Sequence, residues 1–253
     1  MSRSITFVFL IILLAIPVFS QISTGNKAGN PVAEKAAKLP EIIPTETPDS
    51  GVFYQAAIRA NEKVVFLGDS ITEDWRLDVY FPQMRFYINR GIGGETTVSI
   101  LGRFQSDVID VHPRVVMILA GINDIAGFSG PMTIEQTRDN LAAMTEGAAR
   151  NGIRVVLASV MPVNDYCVDF EGNPIIQTAL RPPARILALN QLIRAYAAQN
   201  RIPYIDYHSA MVDSNGFMIA GLTNDGLHPN ATGYTVMKPL ALSAIRSALK
   251  RKR

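Results

Sequence analysis

Beyond about residue 62 the chain alternates short, continuous apolar runs with longer stretches in which apolar residues recur at helical spacing. Lys63 to Leu67 is the first run and stops at Gly68. Arg85 to Asn89 is the second, Arg114 to Ala120 the third, Arg154 to Ser159 the fourth and Pro203 to Asp206 the fifth. Runs of this length without strict alternation predict strands covered on both faces, as in a parallel sheet. Between them, Thr133-Ile134-Glu135-Gln136 has the pattern of a capping box, and Asn151-Gly152 closes the helix it opens. Pro182-Pro183 precedes a second helix with Ile186, Leu189, Ile193 and Tyr196 on one stripe. A last helix is predicted from about Ala231 to Leu249, with a bend near Pro239. Strands alternating with helices imply right-handed crossovers and a three-layer α/β/α open parallel sheet of about five strands in one domain. In such sheets the site lies beyond the carboxyl ends of the strands.

The first twenty residues differ from this pattern. They hold one cation, Arg3, then an apolar run from Ile5 to Phe19 broken only by Thr6 and Pro17. A run of about 15 residues falls short of the roughly 20 that cross a bilayer, so residues 1–20 read as a secretory signal peptide rather than an anchor helix. Val18 and Ser20 fit the small positions before a cleavage site, which is expected after Ser20. No cysteine follows for lipid attachment. Residues 21–50, with Pro31, Pro40, Pro44 and Pro48 and no apolar periodicity, read as a flexible linker. That leaves 51–253 as the functional domain. No stable membrane span is expected once the leader is removed.

Composition narrows the choice. Of 253 residues, 24 are Lys or Arg and 22 Asp or Glu, a net charge of +2 that excludes the basic footprint of a dedicated nucleic-acid binder. Five of the cations are Arg3 and the Lys250–Arg253 tail, so the body is slightly acidic. The tail reads as charge complementing a helix end rather than as a contact with anionic polymer. One cysteine excludes an internal disulfide framework and any CxxC motif.

The chemistry sits in the strand-end loops. Gly68-Asp69-Ser70 follows the first strand, with Ser70 near the start of a helix. Asn89-Arg90-Gly91-Ile92-Gly93-Gly94-Glu95-Thr96 follows the second, and its glycines leave backbone N–H groups approachable by an oxyanion. Gly121-Ile122-Asn123-Asp124 follows the third, where Asn123 is a neutral side-chain donor. Late in the chain, Asp225-Gly226-Leu227-His228 sets a carboxylate three residues before a histidine that it can orient.

These four blocks, in this order, resemble those of the SGNH hydrolases, or GDSL esterase/lipase family, over about Val64 to Ala248. The resemblance implies a flavodoxin-like sheet, a Ser-His-Asp triad and no metal or organic cofactor. Carried over by position, Ser70 is the expected nucleophile, His228 the base and Asp225 its orienter. The Ser70 and Gly94 backbone N–H groups and the Asn123 side chain form the expected oxyanion hole, with Gly91 and Gly93 as rival donors. Ile71 stands where many members have Leu.

The implied activity is hydrolysis of small-molecule, glycan or lipid esters, with short acyl or O-acetyl groups favoured by loops too short for a long lid. A lysophospholipase-like activity on longer chains, a non-catalytic carbohydrate- or lipid-binding protein on the same fold, and a metal-dependent phosphodiesterase are the alternatives. Other residues carry plainer readings. His208 follows the fifth strand but lacks an Asp three residues earlier, and His112 lies at the opposite edge. Asp69, Glu73 and Asp74 read as acids of a helix start rather than metal ligands. Gly91-Ile92-Gly93-Gly94 fails the G-x-G-x-x-G nucleotide pattern at Thr96. Cys167 has no neighbouring base, and Trp75 either lines the substrate pocket or packs the core. Residues 125–132 and 164–181, with Phe128, Tyr166 and Phe170, are the expected pocket walls.

Overall fold

The computed structural model describes residues 62–250; the expected leader at 1–20, the linker at 21–50 and Arg251–Arg253 of the tail lie outside the described residues. The five apolar runs form five strands: β1 (Val64–Gly68), β2 (Tyr87–Gly91), β3 (Val115–Leu119), β4 (Arg154–Ala158) and β5 (Tyr204–Ile205). All neighbours pair in parallel, in the order β2-β1-β3-β4-β5. Strands β1 and β3 are buried along their whole length, as their unbroken apolar runs require. Strand β2 starts two residues later than the apolar pattern suggests, because Arg85 and Phe86 are exposed at the sheet edge. Only two residues of the fifth run, Tyr204 and Ile205, join the ladder.

Register decides where the site can form. Gly68 lies opposite both Gly91 and Leu119, so β1, β2 and β3 end at one level. Their loops therefore leave the sheet side by side. The order also reverses between β1 and its two neighbours, which opens a crevice at this end.

The short helices α1 (Ser70–Glu73), α2 (Leu77–Tyr80), α3 (Thr97–Gly102) and α4 (Ile122–Ile125) follow these strands. The long helices are α5 (Ile134–Arg150), α6 (Pro183–Gln199) and α8 (Ala231–Lys250), with the short α7 (Tyr207–Met211) after β5. The capping box of α5 is formed: the Gln136 N–H donates to the Thr133 hydroxyl at 3.2 Å, and the Thr133 N–H to the Gln136 side chain at 2.9 Å. Helices α3, α5 and α6 pack together as one outer layer, and α8 packs with α2 and α7 as the other. Helix α8 runs through Pro239 as a single element.

Trp75 resolves to the core. It is 0% exposed, stacks on Tyr234 at 5.5 Å and meets Phe66 edge-on at 5.6 Å. A ring so enclosed lines no pocket. Among the described residues, no helix is long and apolar enough to cross a membrane.

Candidate active site

Ser70 is held by a turn that tolerates little change. A Cβ on Gly68 would lie 2.3 Å from both the Leu119 carbonyl and the Thr72 hydroxyl, so only glycine lets β1 turn into α1 here. The Asp69 side chain caps the helix by accepting from the Ile71 N–H at 3.0 Å. Asn89, on β2, donates to the carbonyls of Thr72 at 2.7 Å and Trp75 at 3.1 Å. From the other side the Tyr234 hydroxyl donates to the Ile71 carbonyl at 2.8 Å. Ser70 thus leaves the sheet on a fastened turn, with its Oγ 2.9 Å from Nε2 of His228.

The histidine is held as firmly. Asp225 Oδ1 accepts from the N–H groups of Leu227 at 2.9 Å and His228 at 2.8 Å. Its Oδ2 lies 2.6 Å from Nδ1 of His228. Burial alone would raise the Asp225 carboxyl, but the bonds from the His228 ring and the two N–H groups outweigh it and hold it well below the usual range. The hydrogen bond to Asp225 raises His228 above its ordinary value, against the opposing pull of burial. Gly226 makes this loop possible. Its φ is +81°, and a Cβ would sit 2.2 Å from the Asn164 carbonyl. The buried Asn164 in turn donates its N–H to the Gly226 carbonyl at 2.9 Å and its side-chain amide to the Met218 carbonyl at 2.8 Å.

Across the serine lies the glycine-rich turn. The Gly91 N–H is already given to the Asn89 side chain at 2.8 Å, which removes it as a rival donor. Gly93 remains beside the serine, since a Cβ there would be 3.8 Å from the Ser70 Cβ. Gly94 turns the chain with φ +76°. The buried Asn123 points its amide at this turn, donating to the Glu95 carbonyl at 3.0 Å. Its neighbour Asp124 accepts both the Thr97 hydroxyl and, at 3.0 Å, the Thr97 N–H, which ties α4 to the start of α3. Burial pushes the Asp124 carboxyl up, and the Thr97 bonds oppose it.

No motif marks Arg103, yet it fastens three segments at once. Its Nε donates to Glu95 at 2.6 Å, and its Nη2 to the carbonyls of Gly68 at 3.1 Å and Arg90 at 3.0 Å. Gln177 is a second residue without a motif. It donates to the Asp225 carbonyl at 2.9 Å, from a loop that Asp165 closes by accepting the N–H groups of Gln177 and Thr178. That loop is the expected wall at 164–181. Its Tyr166 is half-exposed and bonds Asp213 at 2.9 Å, whereas Phe170 stands fully in solvent.

The remaining candidates stand apart. His208 is buried in α7 with its backbone N–H on the Ser159 hydroxyl at 2.9 Å, and burial lowers its basicity. His112 sits in the turn before β3, at the opposite end of the sheet. Cys167 approaches Asn164 Oδ1 at 3.7 Å, and burial pushes its thiol up. Among the described residues, no group of three or more His, Cys, Asp or Glu is arranged to hold a metal ion.

A parallel five-stranded sheet with polar side chains gathered at its carboxyl edge has the place where α/β folds bind their ligands. The sequence model described as the GDSL-like lipase/acylhydrolase family matches residues 66–236, and the chain belongs to that family. It is 30% identical to an acetylxylan esterase of Geobacillus stearothermophilus over 71% of this chain and 92% of that protein. It is 32% identical to an uncharacterized lipoprotein of Bacillus subtilis over 42% of this chain, a match spanning about half, 51%, of that protein. The crystal structure of a GDSL-like lipase from Bacteroides thetaiotaomicron is 36% identical and superposes with a TM-score of 0.66, covering 76% of this chain and 91% of that one. The chain is accordingly a carboxylic ester hydrolase.

Proposed function

We propose that the protein is an exported serine esterase that removes short acyl groups, O-acetyl groups foremost, through a Ser70-His228-Asp225 triad. The observation that carries this reading is the continuous hydrogen-bonded path from Ser70 Oγ through His228 to Asp225, at 2.9 Å and 2.6 Å. His228 takes the Ser70 proton as the hydroxyl attacks the ester carbonyl, and Asp225 stabilises the imidazolium that forms. The tetrahedral oxyanion is received by the backbone N–H groups of Ser70 and Gly94 and by the Asn123 amide. Protonated His228 gives its proton to the departing alcohol. Water, deprotonated by the same imidazole, then attacks the acyl-enzyme and frees the acid and Ser70. The acetylxylan esterase among the relatives supports the acetyl preference. Residues 1–20 act in this reading as a cleaved leader and 21–50 as a linker to the domain at 51–253.

One measurement tests both parts. Intact-mass analysis of exported protein after a fluorophosphonate probe is expected to show a chain beginning at Gln21 with a single adduct, located on Ser70 and absent from Ser70→Ala. Folded protein that takes up no probe refutes the triad, and a chain retaining residues 1–20 refutes the cleavage.

A further inference from the structure

Arg181, at the end of the wall loop, makes no direct ion pair among the described residues, and only the more distant charges of Asp69 and Asp225 favour its cation. The residue is only 5% exposed, and no carboxylate lies within ion-pair distance among the described residues. Its one side-chain hydrogen bond runs from Nη1 to Gln177 Oε1 at 2.8 Å, and its Nε is buried without a partner. Its cation rests over the Phe128 ring, 5.6 Å from the centroid. A buried cation in such surroundings is costly, and burial pulls the Arg181 guanidinium below its ordinary value, an effect that the Asp69 and Asp225 charges only partly offset. The position explains what could compensate it. Phe128 packs against Gly94, 4.0 Å from where a Cβ would stand, and Gln177 holds the Asp225 carbonyl. The guanidinium is therefore seated between the two flanks of the Ser70 cleft, the glycine-rich turn on one side and the histidine loop on the other.

We propose that Arg181 is a specificity-determining residue that pairs with a carboxylate on the substrate, so that the preferred ester is an O-acetylated acidic sugar. This deepens the esterase reading and rests on it. A guanidinium with one of its donors already on Gln177 keeps donors enough to pair with a carboxylate. The half-exposed face of Phe128 beside it suits a sugar ring better than a charged headgroup alone.

The test compares kcat/KM for acetate release from O-acetylated glucuronic acid with that from O-acetylated glucuronamide, whose primary amide removes the charge without adding a second ester. Lysophosphatidate against monoacylglycerol forms a second arm. Wild type is expected to favour the free acid by at least about tenfold, the scale of one charge-assisted hydrogen bond. Arg181→Gln is expected to lose that ratio, whatever it does to the absolute rates, and Arg181→Lys to restore part of it. A wild-type ratio near one overturns the proposal. So does an equal loss on both esters in Arg181→Gln, which would make the residue a support for Gln177 alone, and so does a preference confined to the phosphate pair. If Ser70 takes up no fluorophosphonate, the esterase reading itself has failed, an outcome separate from a labelled serine with no charge preference.

Discussion

Gly226→Ala puts the loop between Asp225 and His228 to a quantitative test. The substitution meets two penalties. At φ +81° an L side chain costs about 1–2 kcal/mol. In addition the new Cβ would lie 2.2 Å from the Asn164 carbonyl oxygen, and relief requires the two backbones to part by about 1 Å, given ordinary contact distances. Those same backbones are joined by the 2.9 Å bond from the Asn164 N–H to the Gly226 carbonyl, so parting them forfeits a buried hydrogen bond worth about 1 kcal/mol. The expected loss of stability is about 2–3 kcal/mol. The catalytic loss is larger in proportion, because a shift of about 1 Å beside a reacting group can cost about 100-fold. Urea unfolding followed by circular dichroism, and kcat/KM on an aryl acetate, read the two effects. Gly172→Ala is the control: its φ of +86° is equally strained, but nothing lies within 4 Å of the added carbon. That variant should lose about 1–2 kcal/mol and keep its rate. If Gly226→Ala matches the control in both measurements, the close approach to Asn164 does not position the histidine.

Three further outcomes follow from the site. Asn123→Ala should lower kcat by about 100- to 1,000-fold with little change in KM, and stopped-flow acylation rates that match wild type would remove Asn123 from the oxyanion hole. Because the bond to Asp225 raises His228 above its ordinary 6.5, the acid limb of kcat/KM should have its midpoint above that value, and a midpoint below it contradicts the assignment of His228 as base. Asp69 is fully enclosed and burial pushes its carboxyl up to about 7 from 3.8, so between those values the folded chain binds more protons than the unfolded chain and stability falls as pH rises. Asp69→Asn lacks this titration and should therefore gain on wild type between about pH 4 and 7, by up to about 4 kcal/mol at about 1.4 per unit; parallel stability curves would show that Asp69 stays ionised.

The residues legible in the sequence are those whose partners lie nearby along the chain. Strands β1 and β3 announce themselves because each is an apolar run buried end to end. The capping box of α5 is a four-residue pattern and forms as written. The Asp225–His228 pair likewise needs only a three-residue spacing to meet. Where the partner is remote the signal vanishes. Gln177 reaches Asp225 across 48 positions, Asn164 reaches Met218 across 54 and Arg103 reaches Gly68 across 35, and none of these sits in a motif. Trp75 shows the same limit, since its burial depends on Tyr234, far along the chain in α8. The choice among the glycines depends on both kinds of contact: Gly91 gives its N–H to Asn89 two residues earlier, but Asn89 is itself anchored to the carbonyls of Thr72 and Trp75, 17 and 14 positions away.

The 158 positions between Ser70 and His228 have a consequence for how the protein comes into being. The first described strand leads into the proposed nucleophile and the loop before the last helix carries the proposed base, and the Tyr234 hydroxyl ties that helix back to the turn carrying Ser70. On the proposed triad, a chain interrupted before His228 holds a serine with no base. By that reading, turnover waits until the loop before α8 has closed on the turn after β1, and its onset reports a late step of folding.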